Sequence, residues 1–214
     1  MKRFSLVLVA VVAFGFTACN AQNSIKTPAE VGKAVVNLIK EYEEMSYSDF
    51  AKYFVNAEDC GKLAVKTKSA EQKRDFQETA KQLTAGNYYE GYDNFREVLP
   101  YLKKDGYDLK NLTFVDFWYE EAVVNGISCV VGIVIMKSND KYLIADPTAV
   151  KTDNGYKLIR LEHKAFNWCS GVTEVRDDGN ICGNFGGEEI ECNNFKEAIK
   201  SLKDGGIRLR MTVR

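Results

Sequence analysis

The chain predicts an α+β fold: N-terminal helices packed on an antiparallel β meander, with a small cysteine-containing β-α-β extension at the C-terminus. Three observations carry this. From Thr27 to about residue 104, apolar residues recur at three- and four-residue steps, the signature of helices with one buried face. Near Leu112 the period drops to two, and aromatic and β-branched residues take over. Beyond residue 164 the composition shifts again, to three cysteines and a glycine-rich stretch from Gly179 to Gly187. The 214 residues are 45% hydrophobic and 28% charged, near globular averages, which excludes a disordered chain and a multi-span membrane protein. A net charge of −1 supplies no field to hold nucleic acid.

The elements follow in order. Thr27-Pro28-Ala29-Glu30 is a capping box with proline at the first helical position. Val31, Val35, Leu38, Ile39, Tyr42 and Met45 then form one apolar face. Ser48 restarts a short helix carrying Phe50, Tyr53 and Phe54. Ser69-Ala70-Glu71-Gln72 is a second capping box, followed by Phe76, Ala80 and Leu83 at helical spacing up to Gly86. Asp93 to Lys104 is a further helix, bent at Pro100 and stopped by Gly106. Leu112 to Val124 is the first strand. Asn125-Gly126 closes it into a hairpin with Ile127 to Met136, because a type I′ turn needs positive φ at both central residues. The second strand is apolar on both faces and belongs at the sheet centre. Tyr142 to Ala145 and Tyr156 to Leu161 follow, each after a turn. In the tail, Asn193 or Asn194 caps a helix with Phe195, Ala198, Ile199 and Leu202 on one side. Ile207, Leu209, Met211 and Val213 then alternate with Arg208, Arg210, Thr212 and Arg214 as a half-buried strand. The three arginines make a basic edge that discourages edge-to-edge pairing.

The N-terminus reads as an address. Lys2 and Arg3 precede Phe4 to Ala18, a 15-residue run that is almost wholly apolar. A bilayer span needs roughly 20 residues, so this run has the length of a secretory leader instead. It ends in Phe16-Thr17-Ala18-Cys19, which resembles the lipobox of bacterial lipoproteins. That resemblance implies cleavage before Cys19 and lipid attachment on it, so residues 1–18 are leader and 19–26 a linker. Plain secretion with cleavage after Ala21 competes with this reading, as does a buried apolar helix. Loss of Lys2 and Arg3 would leave 27 basic against 30 acidic residues, a net charge of −3. Asn20 at the second mature position, where Asp often marks inner-membrane retention, points to the outer membrane.

A capped amphipathic helix, a short Asp49-Phe50-Ala51-Lys52-Tyr53-Phe54 helix and a long meander resemble the NTF2-like (cystatin-like) superfamily. The resemblance covers about residues 27 to 163 and leaves 164 to 214 as an extension packed on or beside that domain. It implies a cone in which a curved sheet wraps a helix and leaves a pocket. Members are enzymes, ligand binders or interaction modules, so the fold does not decide the activity.

Candidate chemistry is sparse. In the hairpin register set by Asn125-Gly126, Asp116, Trp118, Glu120 and Ala122 share a face with Cys129, Val131, Ile133 and Ile135. Asp116 or Glu120, desolvated beside Trp118, would suit a general base; the bland alternative is a wet strand end. Trp118, Tyr119 and Tyr53 are candidates to line a ligand pocket. Tyr88-Tyr89-Glu90-Gly91-Tyr92 reads as core rim before it reads as a sugar-stacking surface. His163, Cys169, Cys182 and Cys192 lack the close cysteine pair of a zinc site. No sequence signature marks a cysteine nucleophile. No phosphate-binding or dinucleotide motif is present, and no cofactor is expected. Without Cys19 five thiols remain, an odd number. A bridge within the tail, among Cys169, Cys182 and Cys192, is expected, and Cys129, mid-strand among apolar residues, is expected to stay free. The expected function is a non-catalytic cell-envelope lipoprotein. It would be held to the membrane by its anchor and bind a small ligand or protein partner in an aromatic-lined pocket. The alternatives are an NTF2-like enzyme using Asp116 or Glu120, and a structural module whose tail docks on a second protein.

Overall fold

A computed structural model describes residues 24–161, 172–183 and 191–205, and singly 207, 209, 211 and 213. Five helices lead: α1 (Pro28–Glu41), α2 (Tyr47–Ala51), α3 (Ala57–Lys66), α4 (Ala70–Thr84) and α5 (Glu90–Lys104). Eight strands follow: β1 (Thr113–Val124), β2 (Ile127–Ser138), β3 (Lys141–Ala145), β4 (Pro147–Thr152), β5 (Gly155–Leu161), β6 (Val172–Val175), β7 (Asn180–Gly183) and β8 (Glu191–Asn194). Helix α6 (Phe195–Gly205) closes the series. Helices first and antiparallel sheet second confirm the α+β class.

Helix α1 starts where its capping box sits, with the Thr27 amide donating to the Glu30 carboxylate at 3.2 Å. Lys33 and Asn37 are exposed, while Val31, Gly32, Ala34, Val35, Val36, Leu38 and Ile39 are buried. This helix is therefore covered round most of its circumference rather than on one face. Ser46, not Ser48, caps α2, its hydroxyl accepting from the Asp49 amide at 3.2 Å. Helix α3 was not expected. Its capping box is Asn56 and Asp59, joined by reciprocal bonds of 2.8 and 3.1 Å. Only a short apolar set, Cys60, Leu63 and Ala64, follows, too few positions to show a clear period. Helix α4 begins at Ser69 as expected. Helix α5 starts three residues before Asp93 and runs on through Pro100. Gly106, at φ +81°, closes it by donating to the Lys103 carbonyl.

The β1–β2 hairpin has the register its turn dictates. Asn125 (φ 51°) and Gly126 (φ 89°) form the turn, and Val124 faces Ile127, Glu120 faces Val131 and Asp116 faces Ile135. One bulge between Phe114 and Asp116 ends the regular pairing. On its other edge β2 pairs with both β3 and β4. Val134 opposite Ala145 and Val131 opposite Thr148 keep a single register. Strands β3 and β4 are therefore one ribbon interrupted at Asp146-Pro147, where proline brings no N–H to the ladder. This interruption hid β4 from the sequence reading. Strand β5 pairs with β4, and its outer edge is covered: Tyr156 donates to the Ile25 carbonyl at 2.6 Å, and Leu158 donates to Tyr53 at 2.9 Å.

The sheet carries a helix on each face. Helix α1 approaches so closely that a Cβ on Gly32 would lie 2.7 Å from Phe117 Cβ. Beyond α1, rings in and beside α2 and α5 gather into an aromatic cluster: Phe50 stacks on Phe54 at 4.7 Å, Phe54 meets Tyr89 at 4.8 Å, and Tyr42 meets Phe95 at 5.0 Å. Tyr89 lies in the core, and Tyr88 and Tyr92 are half-buried at its rim. Helix α6 covers part of the opposite face. Its cap is Asn194, whose side-chain oxygen accepts from the Glu197 amide at 3.0 Å. Phe195 and Ile199 are buried, whereas Ala198 and Leu202 are exposed, so the expected four-residue face narrows to an i, i+4 pair.

The tail departs from a β-α-β order: β6, β7 and β8 form their own antiparallel sheet before α6. Cys182 and Cys192 face each other across β7 and β8 and form a disulfide, Cα atoms 4.1 Å apart. Leu209 and Met211 are buried, as the alternation expects, and Val213 makes a single bridge to Tyr89. Arg208, Arg210 and Arg214 lie outside the described residues, as do Cys19, His163 and Cys169.

Candidate functional site

Strand β1 places Trp118 on the face that α6 covers. Its ring is buried, and its Nε1–H donates to Asp116 Oδ2 at 2.8 Å. The other Asp116 oxygen accepts from the Phe117 amide at 2.8 Å. Asp116 thus fixes the indole's orientation. It is exposed, and both its oxygens already accept from donors.

Helix α6 brings two lysines to the same place. Lys196 Nζ sits 4.8 Å from the centre of the Trp118 ring and also donates to the Asp177 carbonyl at 2.6 Å. Such a contact contributes about 1 kcal/mol. Gly179 lets the Lys196 stem pass, since a Cβ there would meet it at 2.8 Å. Between β1 and α6 lies a groove of about 270 Å³, lined by Phe117, Trp118, Tyr119, Glu120, Lys196, Ile199 and Lys200. Its floor is apolar, and its rim carries two cations against one carboxylate.

The sequence-derived candidates do not converge. Trp118 and Glu120 belong to the groove. Tyr119 points its ring the other way, stacked on Phe117 at 4.9 Å, and contributes only to the groove's wall. Tyr53 is buried beside β5, apart from Trp118. Lys196 and Lys200 went unnoticed in the sequence because nothing local ties a tail helix to β1. A second depression of about 350 Å³, lined by Lys40, Glu41, Glu44, Met45, Asp49 and Lys110, is larger but is a solvated ion-pair surface, with Lys110 on Glu44 at 2.6 Å.

Apart from the groove lies a set of buried polar groups, in which Cys129 is the free thiol the sequence led one to expect, whereas Lys157 and Cys60 were not read from it. Lys157 donates to the Lys52 carbonyl, and burial pulls its pKa down while Asp59 pulls it back up. The Tyr89 hydroxyl is buried without a hydrogen-bond partner among the described residues, and burial raises its pKa. Burial pushes the Cys60 thiol up to about 12 and the Cys129 thiol up to about 11. Both are free thiols in the core, protonated at neutral pH and shielded from solvent, the opposite of a nucleophile's setting. Among the described residues no group of three or more His, Cys, Asp or Glu could hold a metal ion, and no helix is long and apolar enough to cross a membrane.

Set against known proteins, the chain matches no family model, no curated protein and no solved structure. The fold and the groove define what can be said of its class: an α+β domain with a disulfide-bridged tail closing over one sheet face.

Proposed function

We propose that the chain is a non-catalytic cell-envelope lipoprotein of NTF2-like type, anchored through Cys19 to the outer membrane. In this reading it binds a small ligand in the groove between β1 and α6. The observation that carries the reading is the pairing of Trp118, held flat by Asp116, with Lys196 and Lys200 over an apolar floor. That chemistry suits a flat apolar molecule bearing one carboxylate or similar anion: the ring lies against Trp118 and Ile199, and the anion meets the lysines. The NTF2-like part rests on α1 lying against the meander. The anchoring part rests on the leader and Phe16-Thr17-Ala18-Cys19. The disulfide agrees with export, because such bonds persist in oxidising compartments.

Calorimetric titration with 1-naphthoate and with 1-naphthamide tests the binding claim. The acid should bind more tightly than the amide. Lys200→Met, an exposed change, should weaken the acid about fivefold and leave the amide unaffected. Equal binding of acid and amide by the parent protein would refute the anionic part of the claim.

A further inference from the structure

We propose that one end of the domain lies against the membrane surface, with Val65 and Val123 entering the headgroup layer and lysines meeting lipid phosphates. The proposal rests on the lipid anchor at Cys19 and deepens it by assigning the face that the anchor presents to the bilayer.

The end is defined by contacts that join four segments. The chain enters the fold at Ile25, whose carbonyl accepts from Tyr156 at 2.6 Å just after the β4–β5 turn. In that turn Asp153 meets both Lys62 and Lys66 of α3, at 3.2 and 2.9 Å. The chain leaving α3 meets the β1–β2 turn, where the Lys68 amide donates to the Asn125 carbonyl at 2.7 Å. The Ile25 entry, both hairpin tips and the C-terminus of α3 therefore share one end of the molecule.

That end is unusual in what it exposes. Val65 is 83% exposed and Val123 71%, the two most exposed large aliphatic residues among those described. Val65 precedes Lys66, and the Lys68 stem lies against Gly126 in the turn that follows Val123; among the described residues Lys68 and Lys151 make no ion pair. Apolar tips set among cations are the composition of a surface that lies at a lipid interface.

The tether keeps this end the nearer one to the bilayer. From Cys19 to Ile25 there are six residue steps, which reach about 20 Å at full extension. A folded body of this size is about 40 Å across. The opposite end, with the β2–β3 turn and the exposed Tyr101, lies farther from Ile25 than the tether reaches.

The test uses the full acylated protein in vesicles of phosphatidylethanolamine and phosphatidylglycerol with brominated acyl chains. Val65→Trp and Tyr101→Trp place reporters at opposite ends, and their emission is read as a difference from the parent. The Val65→Trp signal should be quenched and blue-shifted, and the Tyr101→Trp signal unchanged. Adding Lys66→Glu and Lys68→Glu should lower the Val65→Trp quenching toward the Tyr101→Trp level, with an unaltered circular dichroism spectrum. If the protein floats with the vesicles but the two reporters behave alike, the orientation is wrong and the anchor stands. If it does not float with them, the anchor fails and this inference falls with it.

Discussion

Cys60 and Cys129 show how single residues respond to the core around them. In the folded protein desolvation holds their thiols protonated, with pKa values raised to about 12 and about 11. In the unfolded chain a thiol ionises near its ordinary value of about 8.5. Between these limits the folded state binds more protons than the unfolded state, so stability is complete below the unfolded pKa and falls as pH rises above it. The loss is about 1.4 kcal/mol per pH unit for each thiol. Urea unfolding at pH 8 and pH 10 should show this decline, and Cys60→Ala/Cys129→Ala should flatten it whatever the variant's absolute stability. An equal decline in both proteins would assign the effect to other groups. At Asp116 the residue type and the neighbour Trp118 were visible in the sequence, but neither its exposure nor its two accepted hydrogen bonds were.

At the scale of elements, local chemistry that acts within a few residues was legible. Asn125-Gly126 fixed eighteen paired residues of β1 and β2 in register, from Val124 opposite Ile127 to Asp116 opposite Ile135, because a two-residue turn leaves no freedom in the count. Thr27, Ser69 and the Asn193-Asn194 pair marked helix starts: Glu30 reaches back to the Thr27 amide, and the Ser69 and Asn194 side chains accept from their own first turns. What was missed depended on partners far along the chain. Strand β4 continues β3 in register across a proline, which only the β2 neighbour reveals. Helix α3 had its capping box in plain view at Asn56 and Asp59, yet its apolar set was too short to show a period. Packing between α1 and β1 gives a paired prediction. Gly32→Val drives a side chain into Phe117 and should cost about 1–3 kcal/mol in urea unfolding. Gly61→Ala, in α3 with nothing within 4 Å of the added Cβ, should stabilise by about 0.5–1 kcal/mol. A tolerated Gly32→Val would mean that α1 sits farther from the sheet.

For the whole molecule, the tail turns a closed sheet face into a groove. The β6–β7 turn steadies Lys196, the disulfide ties β7 to β8, and β8 runs into α6 over Trp118. The sequence marked the tail as cysteine-bearing and separate in composition, but not that it would cover β1. The molecule's address is testable independently: mass spectrometry of protein from the native membrane should find the mature chain beginning at acylated Cys19, and a mature end at Gln22 without lipid would establish plain secretion instead. The central claim is that the groove is a binding site. Its most direct test is a ¹H–¹⁵N spectrum of the protein recorded during titration with 1-naphthoate. The Trp118 indole N–H, which donates to Asp116, should shift together with the amides of Lys196, Ile199 and Lys200 and saturate with them. Shifts confined to other surfaces, with the Trp118 indole unmoved, would contradict the account.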